Sequence, residues 1–254
     1  MMINLGLIGY PLGHSFSPAY FADKFINEGV DGSYKLFPLE RIESFPALIE
    51  SHPELSGLNV TIPYKQDVFK YMDFISDDAK AIGAVNTIKI IHNTEGGVSL
   101  MGFNTDWRGF RDSLVKMLPT TAKIQNALIL GTGGASKAVE YALQSLDINP
   151  TFVSRTPIAD SENSLGYSDL TKEIIEANQL IVNTTPLGMS PKINNSPDIP
   201  YEFIGEKHYC FDLIYNPEET LFMKKCKAMG AKVKNGLEML HNQADLAYGI
   251  WTSK

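Results

Sequence analysis

Cysteine is scarce in this chain of 254 residues: only Cys210 and Cys226 occur, and they have no paired metal-ligand spacing. That argues against a disulfide framework and for a reducing compartment. Positive charge is also short, with 22 Lys and Arg against 29 Asp and Glu and a formal net charge of −7. Such a balance argues against a nucleic-acid or anionic-membrane surface, either of which needs a basic footprint. It leaves small anionic ligands open, since these need only one or two local cations. No apolar run approaches the roughly 18 residues of a membrane span. The opening, MMINLGLIGYPLGHS, has no basic segment and too short an apolar run for a secretory signal. The expectation is a soluble cytoplasmic protein acting on a small molecule, with no nucleic acid and no membrane partner, as a monomer or homodimer. No His, Cys or carboxylate cluster points to a metal, and no G-x-S-x-G elbow points to an esterase. The five histidines are scattered, with His14 and His241 as spare candidates.

What the chain does contain is alternation. INLGLIG, SYKLFPL and GLNVTI read as strands. HSFSPAYFADKFINEG reads as a helix with Ser17 as N-cap, Pro18 at the first helical position and Gly29 closing it. RIESFPALIESH reads as helical but broken or kinked at Pro46, and Ser76 is a candidate cap for SDDAKAIGA. AVNTIKII and GVSLMGF read as a hairpin. Trp107, Phe110, Leu114 and Leu118 have helical spacing. Beyond them TFVSR, QLIVNTT, HYCFDLIY and AKVKN read as strands, and DLTKEIIEA, EETLFMKKCKAMG and GLEMLHNQADLAYGIW as helices. The class is therefore α/β with parallel sheets. A glycine loop at mid-chain implies a separate α/β domain before it, with the boundary near residues 106–118.

That loop, ALILGTGGASKAV, sets Gly131, Gly133 and Gly134 between an apolar strand and a helix, the context of a dinucleotide site. Ser136 stands where a third glycine is usual. About 20 residues on, an NAD site would place an acid for the ribose hydroxyls; FVSRTP offers Ser154, Arg155 and Thr156 instead. A guanidinium suits a phosphate, which favours NADP. Asn183, Thr184 and Thr185 follow another strand, and are either ligand-facing or a polar loop turned by Pro186 and Gly188. In the first half, Ser15 and Ser17 share one face of an extended segment, with capping as the competing role of Ser17. Asn59 and Thr61 share the strand face opposite Leu58, Val60 and Ile62 and need hydrogen-bond partners if buried. Lys65 lies just past that strand, and Asn86, Asn104, Thr105 and Asp106 sit at other element ends. Lys65 is otherwise an ordinary solvated lysine, and Asp106 otherwise the opening residue of a helix.

HSFSP, NVTIPYK, GAVNT, GFNTD, GTGGAS, SRT, NTTPLGM, FDLIYNP and GLEMLHNQA occur here in an order that resembles the shikimate dehydrogenases. The resemblance runs from about residue 3 to the C-terminus. It implies two α/β domains, the second Rossmann-like, with an active-site cleft between them. Residues 1–105 plus 237–254 would form the substrate domain, rejoined by the C-terminal helix, and 106–236 the NADP domain. It implies reversible reduction of 3-dehydroshikimate to shikimate with NADPH, a step toward chorismate and the aromatic amino acids. Lys65 and Asp106 would be the catalytic pair, sharing a proton. Ser15, Ser17, Asn59, Thr61, Asn86, Tyr215 and Gln243 would hold substrate. Gly131, Thr132, Gly133, Gly134, Ala135, Ser154, Arg155, Thr156, Thr184, Leu213 and Gly236 would contact cofactor, with Asp77 as a further acid on the cofactor side. Two departures bear on the cofactor: SRT replaces the usual NRT with no second basic residue close behind, and the segment from Arg155 to Tyr167 is short, without sign of a helix. NAD use therefore stays open. The alternatives are a quinate/shikimate dehydrogenase with relaxed substrate or cofactor choice, and a dinucleotide-binding regulator without turnover.

Overall fold

The computed structural model describes residues 2–13, 15–93, 96–157 and 163–253. The chain divides into two compact units, Met1–Thr105 with Ala244–Lys254, and Asp106–Gln243.

The first unit holds β1 (Ile3–Gly9), α1 (Ser17–Glu28), β2 (Gly32–Pro38), α2 (Phe45–Ser51), β3 (Leu55–Val60), β4 (Phe74–Ile75), α3 (Asp77–Ile82), β5 (Thr87–His92) and β6 (Val98–Phe103). Its six-stranded sheet has the order β2-β1-β3-β5-β6-β4. The sheet is mixed rather than parallel: β1 runs parallel to β2 and β3, whereas β5 is antiparallel to both β3 and β6. The reason is local. The predicted hairpin forms β5 and β6, and a short connection reverses the chain. The third strand ends at Val60, short of the expected Ile62, which is 74% exposed. Past Val60 the chain still follows β1 through Thr61 N–H to Ile8 O at 2.9 Å, then turns with Tyr64 N–H donating to Thr61 O. Both faces of β3 are covered, so Asn59 is as buried as Leu58 and Val60. Helix α1 begins at Ser17 with Phe16 at the N-cap, one residue earlier than expected, and Gly29 closes it at φ 64°. Pro46 stands in the first turn of α2, after a 3-10 turn over Ile42–Ser44; it starts the helix instead of kinking it. Ser76 is the N-cap of α3, but its hydroxyl turns to the Asp78 carboxylate instead of capping a backbone N–H.

The second unit holds α4 (Asp106–Met117), β7 (Asn126–Leu130), α5 (Gly134–Gln144), β8 (Asn149–Ser154), β9 (Ser164–Gly166), α6 (Lys172–Ala177), β10 (Leu180–Asn183), β11 (Tyr209–Asp212), α7 (Leu221–Ala228) and β12 (Lys232–Lys234). Helix α8 (Leu237–Thr252) belongs to this unit through Gln243 and to the first from Ala244. All strands pair in parallel in the order β12-β11-β10-β7-β8-β9. Counted within the unit this is 6-5-4-1-2-3, the doubly wound Rossmann order, whose direction reverses between β7 and β10. Ligands of such sheets bind at that reversal, outside the carboxyl ends of the strands. Strand β9 is short and was not expected from the sequence.

Two cores follow from these layers. Ile8, Phe45, Leu58, Val68 and Ile88 pack in the first unit; Leu128, Val153, Ile181, Phe222 and both cysteines pack in the second. A further cluster of the first unit joins Leu5, Phe21 and Phe25 to Ala247, Tyr248 and Trp251 of the returning segment. Trp251 Nε1 donates to Ile88 O at 2.9 Å, and its ring lies where a side chain on Gly57 would be, 2.2 Å from the position of a Cβ. Gly57 is thus required by close approach, and its partner lies at the far end of the chain.

Candidate active site

In the first unit, the carboxyl end of β3 meets the start of β5 and the end of β6. Asn59, Asn86, Thr87 and Thr105 are all buried there. Asn59 Nδ2 donates to Asn86 O at 3.3 Å and Thr87 Oγ1 at 3.4 Å, and Asn59 Oδ1 accepts from Tyr34 Oη at 2.8 Å. Asn86 Oδ1 accepts from Thr105 N–H at 2.8 Å and Thr87 Oγ1 at 2.9 Å, and Asn86 Nδ2 donates to Thr105 Oγ1 at 2.9 Å. Asn104 Nδ2 donates to Ala84 O at 2.9 Å. The buried amides therefore have protein partners, which also fix the direction each can offer a ligand. Thr61 and Ser17 are half-buried beside this network. Burial pushes the Tyr34 phenol far up, and the nearby Ser17 hydroxyl opposes that shift. Ser15 is half-buried; His14 lies outside the described residues.

Lys65 is held by its neighbours. Tyr64 is buried and donates from Oη to Leu39 O at 2.6 Å, while Lys65 O accepts from Val85 N–H at 2.7 Å. The backbone on both sides is pinned, and the half-buried Lys65 side chain leaves from a rigid turn. Asp106 is buried and is the first residue of α4. Asp77 is fully exposed and pairs with Lys80 at 3.6 Å.

In the second unit, the loop after β7 opens α5. Gly131 takes φ 106°, a conformation open to glycine, and a Cβ there would lie 2.9 Å from Thr184 Oγ1. Gly133 is the N-cap of α5 and Gly134 its first residue; a Cβ on either would meet nothing within 4 Å, so the space beside these glycines is open. Ser136 is fully buried with Oγ donating to Gly133 O at 2.6 Å, which satisfies the hydroxyl where a third glycine is usual. Thr132 is exposed and Ala135 half-buried. At the end of β8, Ser154 is buried and donates to Thr156 O at 2.7 Å, while Arg155 and Thr156 are exposed. A helix N-terminus with open space beside its glycines, and an exposed guanidinium at the end of the neighbouring strand, fit an anionic dinucleotide carrying a further phosphate.

A second network supports these loops from beneath. Thr184 Oγ1 and Thr184 N–H both donate to Leu130 O, at 2.7 and 3.0 Å. Asn183 Oδ1 accepts from Thr185 N–H at 3.0 Å, and Asn183 Nδ2 donates to Asp212 Oδ1 at 3.0 Å. The buried Asp212 carboxylate also accepts from Ile214 N–H at 3.0 Å and Thr220 Oγ1 at 2.6 Å. Burial pushes this carboxyl up to about 6, against the pull of those three donors. Leu213 N–H donates to Asn183 O at 3.0 Å, and Gly236 lies against Leu213, whose O is 2.0 Å from where a Gly236 Cβ would be. Tyr215 is half-buried, and burial raises its phenol. Gln243 packs its Cβ near Gly109 of α4 and donates from Nε2 to Leu240 O at 3.0 Å. Sequence reasoning missed Tyr34, Thr87 and Asp212. For Asp212 a signal existed, an acid ending an apolar strand run; for Tyr34 and Thr87 none did.

Residues 7–88 match the family model of the shikimate dehydrogenase substrate binding domain. The shikimate dehydrogenase (NADP(+)) of Clostridium beijerinckii is 41% identical, over 97% of this chain and 90% of its own length. The chain belongs to the shikimate dehydrogenase family. Family membership extends to solved structures. Shikimate 5-dehydrogenase from Thermus thermophilus, crystallised with NADP(H) and shikimate, is 33% identical with a TM-score of 0.83, over 98% of this chain and 93% of that one. Quinate dehydrogenase from Corynebacterium glutamicum, in complex with NAD, is 27% identical with a TM-score of 0.84, over 98% and 93%. The fold is thus shared with a shikimate dehydrogenase bound to NADP(H) and with a quinate dehydrogenase bound to NAD.

Proposed function

We propose that this chain catalyses the reversible NADPH-linked reduction of 3-dehydroshikimate to shikimate. The observation that carries this reading is the buried amide and hydroxyl network of Asn59, Asn86, Thr87 and Thr105, one turn of chain away from the pinned Lys65. A neutral, directional set of polar groups suits a polyol ring. It rejects analogues that leave its own groups unpaired. We assign the first unit, residues 1–105 with the end of the C-terminal helix, to substrate, and residues 106–236 to the cofactor.

When bound, the cofactor would supply a hydride to the ring carbonyl carbon. Charge then develops on the carbonyl oxygen, where a proton donor is needed. Lys65 is that donor in the reducing direction and the base in the oxidising one, and Asp106 is the carboxylate of the pair. Ser15 and Ser17 take the substrate carboxylate; Asn59, Thr61, Asn86, Tyr215 and Gln243 fix the ring. The loop from Gly131 to Ala135 takes the pyrophosphate on its N–H groups. Arg155, with Ser154 and Thr156, would hold the ribose phosphate, and Thr184, Leu213 and Gly236 would also contact the cofactor. The two buried thiols, Cys210 and Cys226, suit a reducing cytoplasm.

A second reading, quinate or NAD use, is favoured by the NAD-bound quinate dehydrogenase relative together with the serine at position 154. Steady-state formation of reduced cofactor, measured with shikimate and quinate against NADP and NAD, tests both. Shikimate with NADP is expected to give the highest kcat/KM; no turnover with any pair would refute catalysis and leave a binding protein.

A further inference from the structure

The orientation of the Asn59 amide follows from its neighbours. An asparagine side chain has two donor hydrogens on one atom and two acceptor lone pairs on the other. The carbonyl oxygen of Asn86, 3.3 Å from Asn59 Nδ2, can only accept, so nitrogen must face it. Oδ1 then faces Tyr34, and at 2.8 Å the phenol must be the donor. With Nδ2 also donating to Thr87 Oγ1, both amide hydrogens are spent within the protein. One Oδ1 lone pair is what Asn59 offers a ligand. Tyr34 itself is fixed by its ring, which stacks on the fully buried Phe21 with centroids 4.6 Å apart and planes 12° from parallel.

We propose that Tyr34 is a positioning residue for substrate choice: its hydroxyl holds the Asn59 amide so that Oδ1 accepts from a ring hydroxyl of the substrate. This rests on the assignment of Asn59 to substrate made above. It also implies a direction, since the substrate group must donate to Asn59, so an ether or a ketone at that ring position is rejected.

The test is Tyr34→Phe. The lost hydrogen bond to a buried acceptor should raise KM for shikimate about tenfold or more. KM for NADP should stay within about twofold and kcat should fall far less than KM rises. Discrimination between shikimate and an analogue lacking one ring hydroxyl should shrink in the variant. Tyr34→Phe combined with Asn59→Ala should be no worse than Asn59→Ala alone, because the phenol acts through that amide. An unchanged shikimate KM, or effects of the two changes that simply multiply, would overturn the inference. Should Tyr34→Phe fail to fold, 3-fluorotyrosine at position 34 keeps the donor. Its fluorine resonance should move when shikimate saturates the protein and not with NADP alone; no movement with shikimate also overturns it. Failure of the unaltered protein to turn over shikimate removes the functional reading and this inference together, whereas turnover with an indifferent Tyr34→Phe removes the inference alone.

Discussion

Each unit buries a polar network where its strands end, and the two networks differ in chemistry. In the first, Tyr34, Asn59, Asn86, Thr87 and Thr105 bond to one another without a formal charge. In the second, the Asp212 carboxylate gathers Asn183, Thr220 and the Ile214 N–H, and the loops above it remain open. On the proposed function the neutral network presents its own members to substrate, so its hydrogen-bond directions would set specificity. The second gathers where β10 and β11 end, and the proposed function assigns none of Asn183, Asp212 and Thr220 to a ligand. It holds the segments after β10 and β11 in place while the glycine loop and Arg155 face outward. On the proposed function, recognition of a polyol rests on side chains, and recognition of a dinucleotide on the glycine-loop backbone together with Arg155.

The sharpest way to break this comparison is Lys65→Ala. Loss of the proton donor should lower kcat/KM for shikimate about 10²–10⁴-fold. Affinity for NADPH, read by fluorescence titration, should change little, because the cofactor loop belongs to the other unit. An equal loss on both sides would show that the division of labour is wrong.

A smaller effect is expected at Arg155. A guanidinium paired with a phosphate contributes roughly 1.5–3 kcal/mol, so Arg155→Ala should raise KM for NADP roughly ten- to a hundredfold. KM for NAD, which lacks that phosphate, should move little. If both rise together, Arg155 orders the loop and does not read the ribose.

The networks also separate what the residue pattern reveals from what it conceals. The glycine loop, the hairpin and the buried faces of β3 and α4 were legible because each depends on local spacing: Gly131, Gly133 and Gly134 between a strand and a helix, or Trp107, Phe110 and Leu114 at helical intervals. Asn59 was legible as a polar residue inside an apolar strand that had to find partners. The identity of those partners was not. Tyr34 sits in SYKLFPL, where nothing but strand propensity shows, and it meets Asn59 only because β2 and β3 flank β1. Gly57 was hidden in the same way, since its requirement comes from Trp251. The mixed character of the first sheet went unseen because alternation of strands and helices suggests parallel pairing, and one hairpin was enough to reverse it. Ser17 was read as a cap from its place before Pro18, but the helix had already begun at Ser17 itself.

The smallest expected effect concerns pH and follows from the difference in charge between the networks. The first network has no group that titrates in the acid range, so it should not respond there. Two carboxylates of the second unit, Asp212 and Glu238, shift strongly and in opposite directions. Burial raises Asp212 from 3.8 to about 6, so the folded state holds a proton that the unfolded chain has lost, and stability falls as pH rises from about 4 to 6. Glu238 is lowered from 4.5 to about 2 by Lys116 and Lys234, whose ammonium groups lie 2.6 and 2.5 Å from its oxygens. Its contribution is present above its ordinary value and disappears as pH falls toward 2. Urea unfolding of the wild type against Asp212→Asn should therefore give a difference that changes between pH 4 and 6, with a slope no steeper than about 1.4 kcal/mol per pH unit. Wild type against Glu238→Gln should give a difference that changes only below about pH 4.5. A flat Asp212→Asn difference across that range would mean the three donors hold the carboxylate ionised despite its burial. The second network would then be charged throughout, and the contrast with the first would be greater than burial alone predicts.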